Sequence, residues 1–179
     1  MSKVLQTTRR SFANDDGGVS AIEFSFIAPV LILLFLGSAT LFFSFQSAQK
    51  CEKGIFTVAD IISRRSEVND DFLKKMYAMF EHMIPPTKEP VKLRVTSVSK
   101  ASGKYKVDWS YAVAPWPKLA TAAIPPGALP EIADGDSVVL IETEAVISLP
   151  SAIFGSGEIK RENQTAVRPR FVSAIAKTG

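Results

Sequence analysis

Gly18-Val19-Ser20-Ala21-Ile22-Glu23-Phe24 runs without a break into the uncharged segment Phe24–Phe45, and the reading of that stretch decides the rest of the chain. Phe24 to Phe45 contains no Asp, Glu, Lys or Arg, and its densest part is Pro29-Val30-Leu31-Ile32-Leu33-Leu34-Phe35-Leu36. As a helix rising about 1.5 Å per residue, the run spans about 33 Å, enough to cross a hydrocarbon core of about 30 Å. A removable secretory signal is the first competitor. Its apolar region is normally about 7–15 residues and closes on a small-x-small cleavage pattern. Here the run is longer, and bulky Gln46 stands two residues before Ala48. Phe24–Phe45 is therefore expected to remain as a membrane helix. Such helices tolerate Pro29 with a local kink. Gly37 and Ser38 form a small patch where a second helix can approach, although a lone anchor accommodates them equally well.

Flanking charge sets the orientation. Lys3, Arg9 and Arg10 precede the span, while Lys50 and Lys53 follow it. Counting Lys and Arg gives a slight bias toward a cytoplasmic N-terminus, with the larger C-terminal portion outside the inner membrane face. Glu23 is the one acidic residue at the mouth of the apolar run. A carboxylate at the centre of a membrane helix costs roughly 2.5–3.5 kcal/mol on insertion scales, and less near the headgroups. Ser20 and Glu23 have capping-box spacing, with Ser20 as helix cap and Glu23 reaching back to the cap amide. An acid in the first turn also complements the helix dipole.

The larger constellation is more specific. A short, polar, net basic leader ends at Gly18; four small or apolar residues, Glu23, aromatic Phe24 and a membrane-length run follow. The stretch GGVSAIEFSFIAPVLILLFLG resembles the processing site of type IV prepilins, specifically the TadE/TadG-like pseudopilins of the tight-adherence (Flp, type IVb) pilus system. That resemblance implies cleavage between Gly18 and Val19 by a membrane prepilin peptidase at the cytoplasmic face, with loss of the leader 1–18. It further implies that Glu23, beside Phe24, is an assembly contact that neutralises the new terminal amine of Val19 on a neighbouring subunit. An unpaired charge in an apolar setting is expensive, which gives such a pairing its physical reason. Cap and assembly contact are compatible roles for one glutamate.

Beyond the membrane, residues 66–179 suffice for one modest core. Residues 46–65 are expected to continue the first helix into water, with Ile55, Val58, Ala59 and Ile62 at helical spacing; Gly54 weakens that helix by about 1 kcal/mol against Ala. A second helix is predicted over 69–84, with Phe72, Leu73, Met76, Tyr77, Phe80 and Ile84 on one face, Asn69 to Asp71 as cap and first-turn acid, and Pro85-Pro86 as the stop. Period-two alternation follows. Val91, Leu93 and Val95 share one face; Tyr105, Val107, Trp109, Tyr111 and Val113 share another, and 99–103 reads as the hairpin loop between them. Residues 114–136 form a long Pro/Gly/Ala-rich connection with a short helical turn near 118–123, and Trp116 is its exposed aromatic candidate for a partner contact. Ser137–Leu149 is the strongest strand. Its Glu142 and Glu144 project side by side on a solvated face, expected to oppose Arg168 and Arg170. Gln164–Val172 reads as a last strand, with Pro169 restricting it to an edge or a bulge.

Chemistry has few places to reside. The chain has one cysteine and one histidine, so no internal disulfide and no zinc-type spacing is available. Cys51 is expected to be inert, with cross-linking of two chains as the alternative. A net charge of +3 over 179 residues, with scattered basic residues, argues against nucleic acid. No nucleophile elbow, phosphate-binding loop or dinucleotide fingerprint occurs, so no enzyme, metal or cofactor is expected. The expected fold is α+β: a long N-terminal transmembrane helix over 19–65, then one or two helices packed on a mainly antiparallel sheet of about four strands. The expected protein is a single-pass minor pilin or pseudopilin, working with a prepilin peptidase, other pilin-like subunits and the secretion platform. The alternative is a generic single-pass envelope protein whose periplasmic domain binds a ligand or a protein.

Overall fold

The computed structural model describes residues 17–149 and 157–178. Residues 1–16, 150–156 and 179 lie outside the described residues, and with them most of the leader expected over 1–18 and Gly155. The chain divides into two compact units, the first ending at Leu41 and the second beginning at Phe42.

Helix α1, Gly17–Ser63, runs through both, with Pro29 inside it. Over its first unit the helix is apolar on every side rather than striped, the pattern of a lipid-exposed or helix-packed segment. Its hydroxyls are satisfied internally: Ser25 Oγ donates to the Ala21 carbonyl at 2.7 Å, Ser38 Oγ to Phe35 at 2.8 Å and Thr40 Oγ1 to Leu36 at 2.8 Å. Each of these three hydroxyls is thereby paired within its own helix, as a hydrocarbon environment demands.

In the second unit α1 becomes amphipathic. Ile55, Val58, Ala59 and Ile62 are buried, as their spacing predicts, and Cys51 is buried with them, while Lys53, Arg64 and Arg65 are exposed. A short strand β1, Glu67–Asn69, leads to α2, Asp70–Met83. Asn69 caps α2, its side chain accepting from the Phe72 amide at 2.8 Å, and Asp70 and Asp71 occupy the first turn. Leu73, Met76, Phe80 and Ile84 face the core.

Strands β2 (Lys92–Ala101), β3 (Lys104–Ala112), β4 (Ser137–Ser148) and β5 (Glu158–Val167) form an antiparallel sheet in the order β3-β2-β4-β5. The odd-numbered residues Leu93, Val95, Val139, Ile141, Ala145 and Ile147 meet α1 and α2 in one core. Arg161 of β5 lies on that same side and ties the sheet to α1, Nη2 donating to the Ser44 carbonyl at 2.9 Å and its hydroxyl at 2.8 Å. A parallel pair joins β1 to β6, Ala176–Thr178, so the C-terminal segment returns to the end of α1. Trp109 Nε1 holds that segment by donating to the Ile175 carbonyl at 2.7 Å.

Four details differ from the sequence pattern. First, the β2–β3 loop is only Ser102-Gly103, with φ of 52° and 75°; two positive-φ residues make the tight turn whose twist matches a hairpin, so both strands run further than expected. Second, register shifts between Ser97 and Val98 leave Asp108 as an extra residue of β3. Such a bulge swaps faces. Trp109, Tyr111 and Val113 pack on the helix side, whereas Tyr105 and Val107 pack with Val98, Ile132 and Val138 on the other. Third, residues 114–136 form a packed cover on that second face. Leu119, Ala128 and Ile132 are buried, with one 3-10 turn at Thr121–Ala123, and Tyr105 Oη and Lys100 Nζ donate to the carbonyls of Pro130 and Ile132. Fourth, β5 starts at Glu158 and stops at Val167, so Pro169 lies beyond the strand and needs no edge position within it.

Candidate functional site

Two places carry chemistry, one in each unit. At the start of α1 the helix is already formed at Gly17, so Ser20 is its fourth residue and lies inside the first turn, not at a cap. The Gly18–Val19 bond is part of that turn. Gly18 is exposed, and a Cβ added there would meet nothing within 4 Å. Val19 and Glu23 are four residues apart and so share a helix face. Glu23 is exposed, and no described residue forms an ion pair with it. Around it Val19, Ile22, Phe24, Phe26 and Ile27 are exposed apolar side chains. Phe24 is 67% exposed, and Leu33 and Phe45 are exposed as well, while Gly37 is half-buried. The best window of this helix has a mean hydropathy of 2.4, long and apolar enough to cross a membrane. The described part of the first unit is therefore a lipid-compatible helix with one carboxylate side chain, Glu23, one turn beyond Val19.

The second place lies on the face of the sheet opposite the helices. Cross-strand rows run Arg94–Glu142–Gln164 and Lys92–Glu144–Glu162 over β2, β4 and β5. Arg94 Nε and Nη2 donate to the two Glu142 carboxylate oxygens at 2.6 and 2.7 Å. Lys92 Nζ donates to Glu144 at 2.6 Å, and Lys160 lies 3.0 Å from the other Glu144 oxygen. The sequence expectation that Glu142 and Glu144 oppose Arg168 and Arg170 is thus corrected: Arg168 pairs with Asp136 and Arg170 with Asp60. Strand register decides this, because β4 lies between β2 and β5, and the two arginines follow the end of β5. Trp116, half-buried, stands over the Arg94 guanidinium at 5.2 Å from its ring centroid. Arg94, Trp116, Glu142, Glu144, Glu162 and Gln164 line an open cleft of about 530 Å³.

The thiol and the imidazole are not brought into a visible site. Cys51 is buried in the core, and burial pushes its thiol up despite the nearby Arg161 charge. His82 is exposed on α2. Among the described residues, no group of three His, Cys, Asp or Glu side chains is placed to hold a metal ion.

Ion pairing makes acid stability predictable. The hydrogen bond from Lys92, helped by Lys160, lowers the Glu144 pKa; Arg64 and then Arg170 lower that of Asp60, and Lys177 lowers that of Asp70. A carboxylate whose folded pKa is depressed stabilises the fold above its unfolded pKa and loses that contribution as pH falls through the folded value. The denaturation midpoint is therefore expected to be level from about pH 7 to 5 and to fall below about pH 4. Glu144→Gln should flatten part of that acid limb. A midpoint that rises on acidification would contradict these pairings.

The comparisons address the first place. Residues 18–59 match the family model of the TadE-like proteins. No curated protein and no solved structure matches the chain. The matched segment begins at Gly18, contains Glu23 and the whole apolar run, and ends within the part of α1 that packs on the core of the second unit; this chain carries a TadE-like domain at residues 18–59, consistent with a TadE-like pilin of the tight-adherence system.

Proposed function

We propose that this chain is a minor pilin or pseudopilin that a prepilin peptidase cuts between Gly18 and Val19, and that it then works without catalysis in assembling a tight-adherence pilus or its secretion platform. Involvement in tight-adherence pilus assembly rests on the TadE-like domain. The observation that carries the finer reading is the junction itself: a glycine at an exposed helix end, an acid five residues later, and an apolar rod exposed on all sides.

In this reading residues 1–18 are a leader, 19–65 the mature helix and 66–179 an extracytoplasmic domain; the N-terminus faces the cytoplasm and the protein crosses the inner membrane once. Cleavage frees an ammonium on Val19, about one helical turn before Glu23. In a bilayer or a bundle of like helices, each of these charges alone is costly, and together they offset one another. Along one helix the two lie about 6 Å apart, so a neighbour displaced by about one turn brings its Glu23 level with the amine. Gly37 and Ser38 offer the flat patch for close helix approach.

Two measurements test this. Intact mass of the protein from cells with an active peptidase should show loss of Met1–Gly18; a retained leader would leave only a membrane anchor. Glu23→Ala should still insert and be processed, yet recover at least about tenfold less of its pilin-like partners on co-purification, the loss expected when one member of a desolvated charge pair is removed. Unchanged recovery would remove the contact role.

A further inference from the structure

We propose that the cleft on the helix-free face of the sheet is a binding site for a neutral oligosaccharide, with Trp116 as its stacking wall. This goes beyond a role in assembly and would give the outer unit a ligand of its own.

The cleft exists because the cover formed by residues 114–136 is incomplete. Leu119 and Ala128 of that segment pack on Leu140 and Ala166, closing one half of the face. The other half, holding the Arg94–Glu142–Gln164 and Lys92–Glu144–Glu162 rows, stays open. Trp116 stands at the boundary. One face of its indole packs on Arg94, which also lines the cleft, is held by two bonds to Glu142 and donates to the Pro117 carbonyl at 3.4 Å. The side chains of Arg94 and Glu142 are only 15% and 11% exposed, so this wall is preorganised. A volume of about 530 Å³ is within the range of small-ligand sites.

Charge selects the ligand class. The carboxylates Glu142, Glu144 and Glu162 are matched by Arg94, Lys92 and Lys160, and each pair is within ion-pair distance. The formal charges of these six side chains cancel, so no surplus charge is left over for an anion or a cation. An apolar ligand would strip water from this ionic floor without replacing its hydrogen bonds. What fits is an uncharged molecule with an apolar C–H face for the indole and a rim of hydroxyls for carboxylates, guanidinium and the Gln164 amide. Sugars combine those two features.

The test uses the full chain in a zwitterionic, sugar-free detergent, titrated with cellotetraose and maltotetraose, with tetralysine and tetragalacturonate as charged comparators. Tryptophan fluorescence and saturation-transfer NMR report binding. Saturable binding of at least one neutral tetrasaccharide at millimolar concentration is expected, weakened about tenfold or more by Trp116→Ala and measurably by Gln164→Ala. Gln164 is exposed and outside the core, so its variant decides the matter if Trp116→Ala alters the denaturation midpoint. Absence of saturation by both neutral sugars, equal affinity in the Gln164 variant, or tighter binding of either charged comparator overturns the proposal. Loss of pilus assembly in the Glu23 variant has no bearing on it, because the two sites share no residue.

Discussion

Phe80→Ala is expected to destabilise the second unit by about 3–5 kcal/mol, the range for removing a fully enclosed aromatic ring from a core. Phe80 has no exposed surface and is the largest of the completely buried side chains. Its ring edge packs on the backbone of α1 at Gly54: a Cβ built there would lie 2.9 and 3.0 Å from two ring carbons. The glycine that weakens α1 locally is thus the residue that lets α2 approach. Gly54→Leu should cost about 1–3 kcal/mol or more through overpacking, despite recovering about 1 kcal/mol of helix propensity. Because the two residues touch, Phe80→Leu combined with Gly54→Ala should be non-additive, each relieving part of the other's cost, by about 0.5–3 kcal/mol. Chemical denaturation of the full chain in detergent measures Phe80→Ala, Gly54→Leu and the four corners of the Phe80→Leu/Gly54→Ala cycle. A Gly54→Leu protein as stable as the parent would show that the helices do not meet here.

That contact also shows what the sequence could and could not convey. Helical spacing in Ile55, Val58, Ala59 and Ile62, and in Leu73, Met76 and Phe80, placed both helices and their buried faces, because amphipathic periodicity is local. The purpose of Gly54 was not legible, since it depends on a residue in another helix. The same holds for β3. Alternation from Tyr105 to Val113 looked unbroken, but one extra residue at Asp108 moves Tyr105 and Val107 to the opposite face. Bulges follow from pairing with a partner strand, and a single strand's pattern does not record them. Residues 114–136 were misleading for a different reason. Their Pro and Gly content signals a connection, while the anchoring side chains Leu119 and Ile132 are too sparse to show periodicity.

The two candidate sites divide along the same line. The Gly18–Phe24 junction was readable because its residues are contiguous and helix geometry alone fixes their spacing. The cleft was not, because Arg94, Trp116, Glu142 and Gln164 come from three strands and a connection, and only register brings them together. Glu142 and Glu144 were visible as neighbours on one face, yet their partners depended on strand order β3-β2-β4-β5. The β4–β5 neighbourhood places Lys160 against Glu144, where the bare sequence offered Arg168 and Arg170 equally well.

Gly18→Ile is expected to leave the leader attached to nearly all of the protein while the rest of the chain folds as before. The Gly18–Val19 bond lies in the first turn of α1, so a peptidase that needs extended backbone must first unwind that turn. Two consecutive glycines, Gly17 and Gly18, each lower the helix's hold by about 1 kcal/mol relative to Ala. Together they favour the open turn by roughly 2 kcal/mol, or about thirtyfold in population. A β-branched side chain at 18 removes half of that advantage and adds bulk beside the scissile carbonyl. No described residue lies within 4 Å of a Cβ at this position, so a processing defect would not come from a clash within the described fold. Gly18→Ala separates the two contributions: it restores helix propensity with minimal bulk and should slow cleavage without stopping it. Intact mass and N-terminal sequencing after expression with an active peptidase report the outcome, with unchanged circular dichroism as the folding control. Complete conversion of the Gly18→Ile protein to a chain beginning at Val19 would show that the glycine is not what the peptidase reads, and the junction would revert to an ordinary helix start.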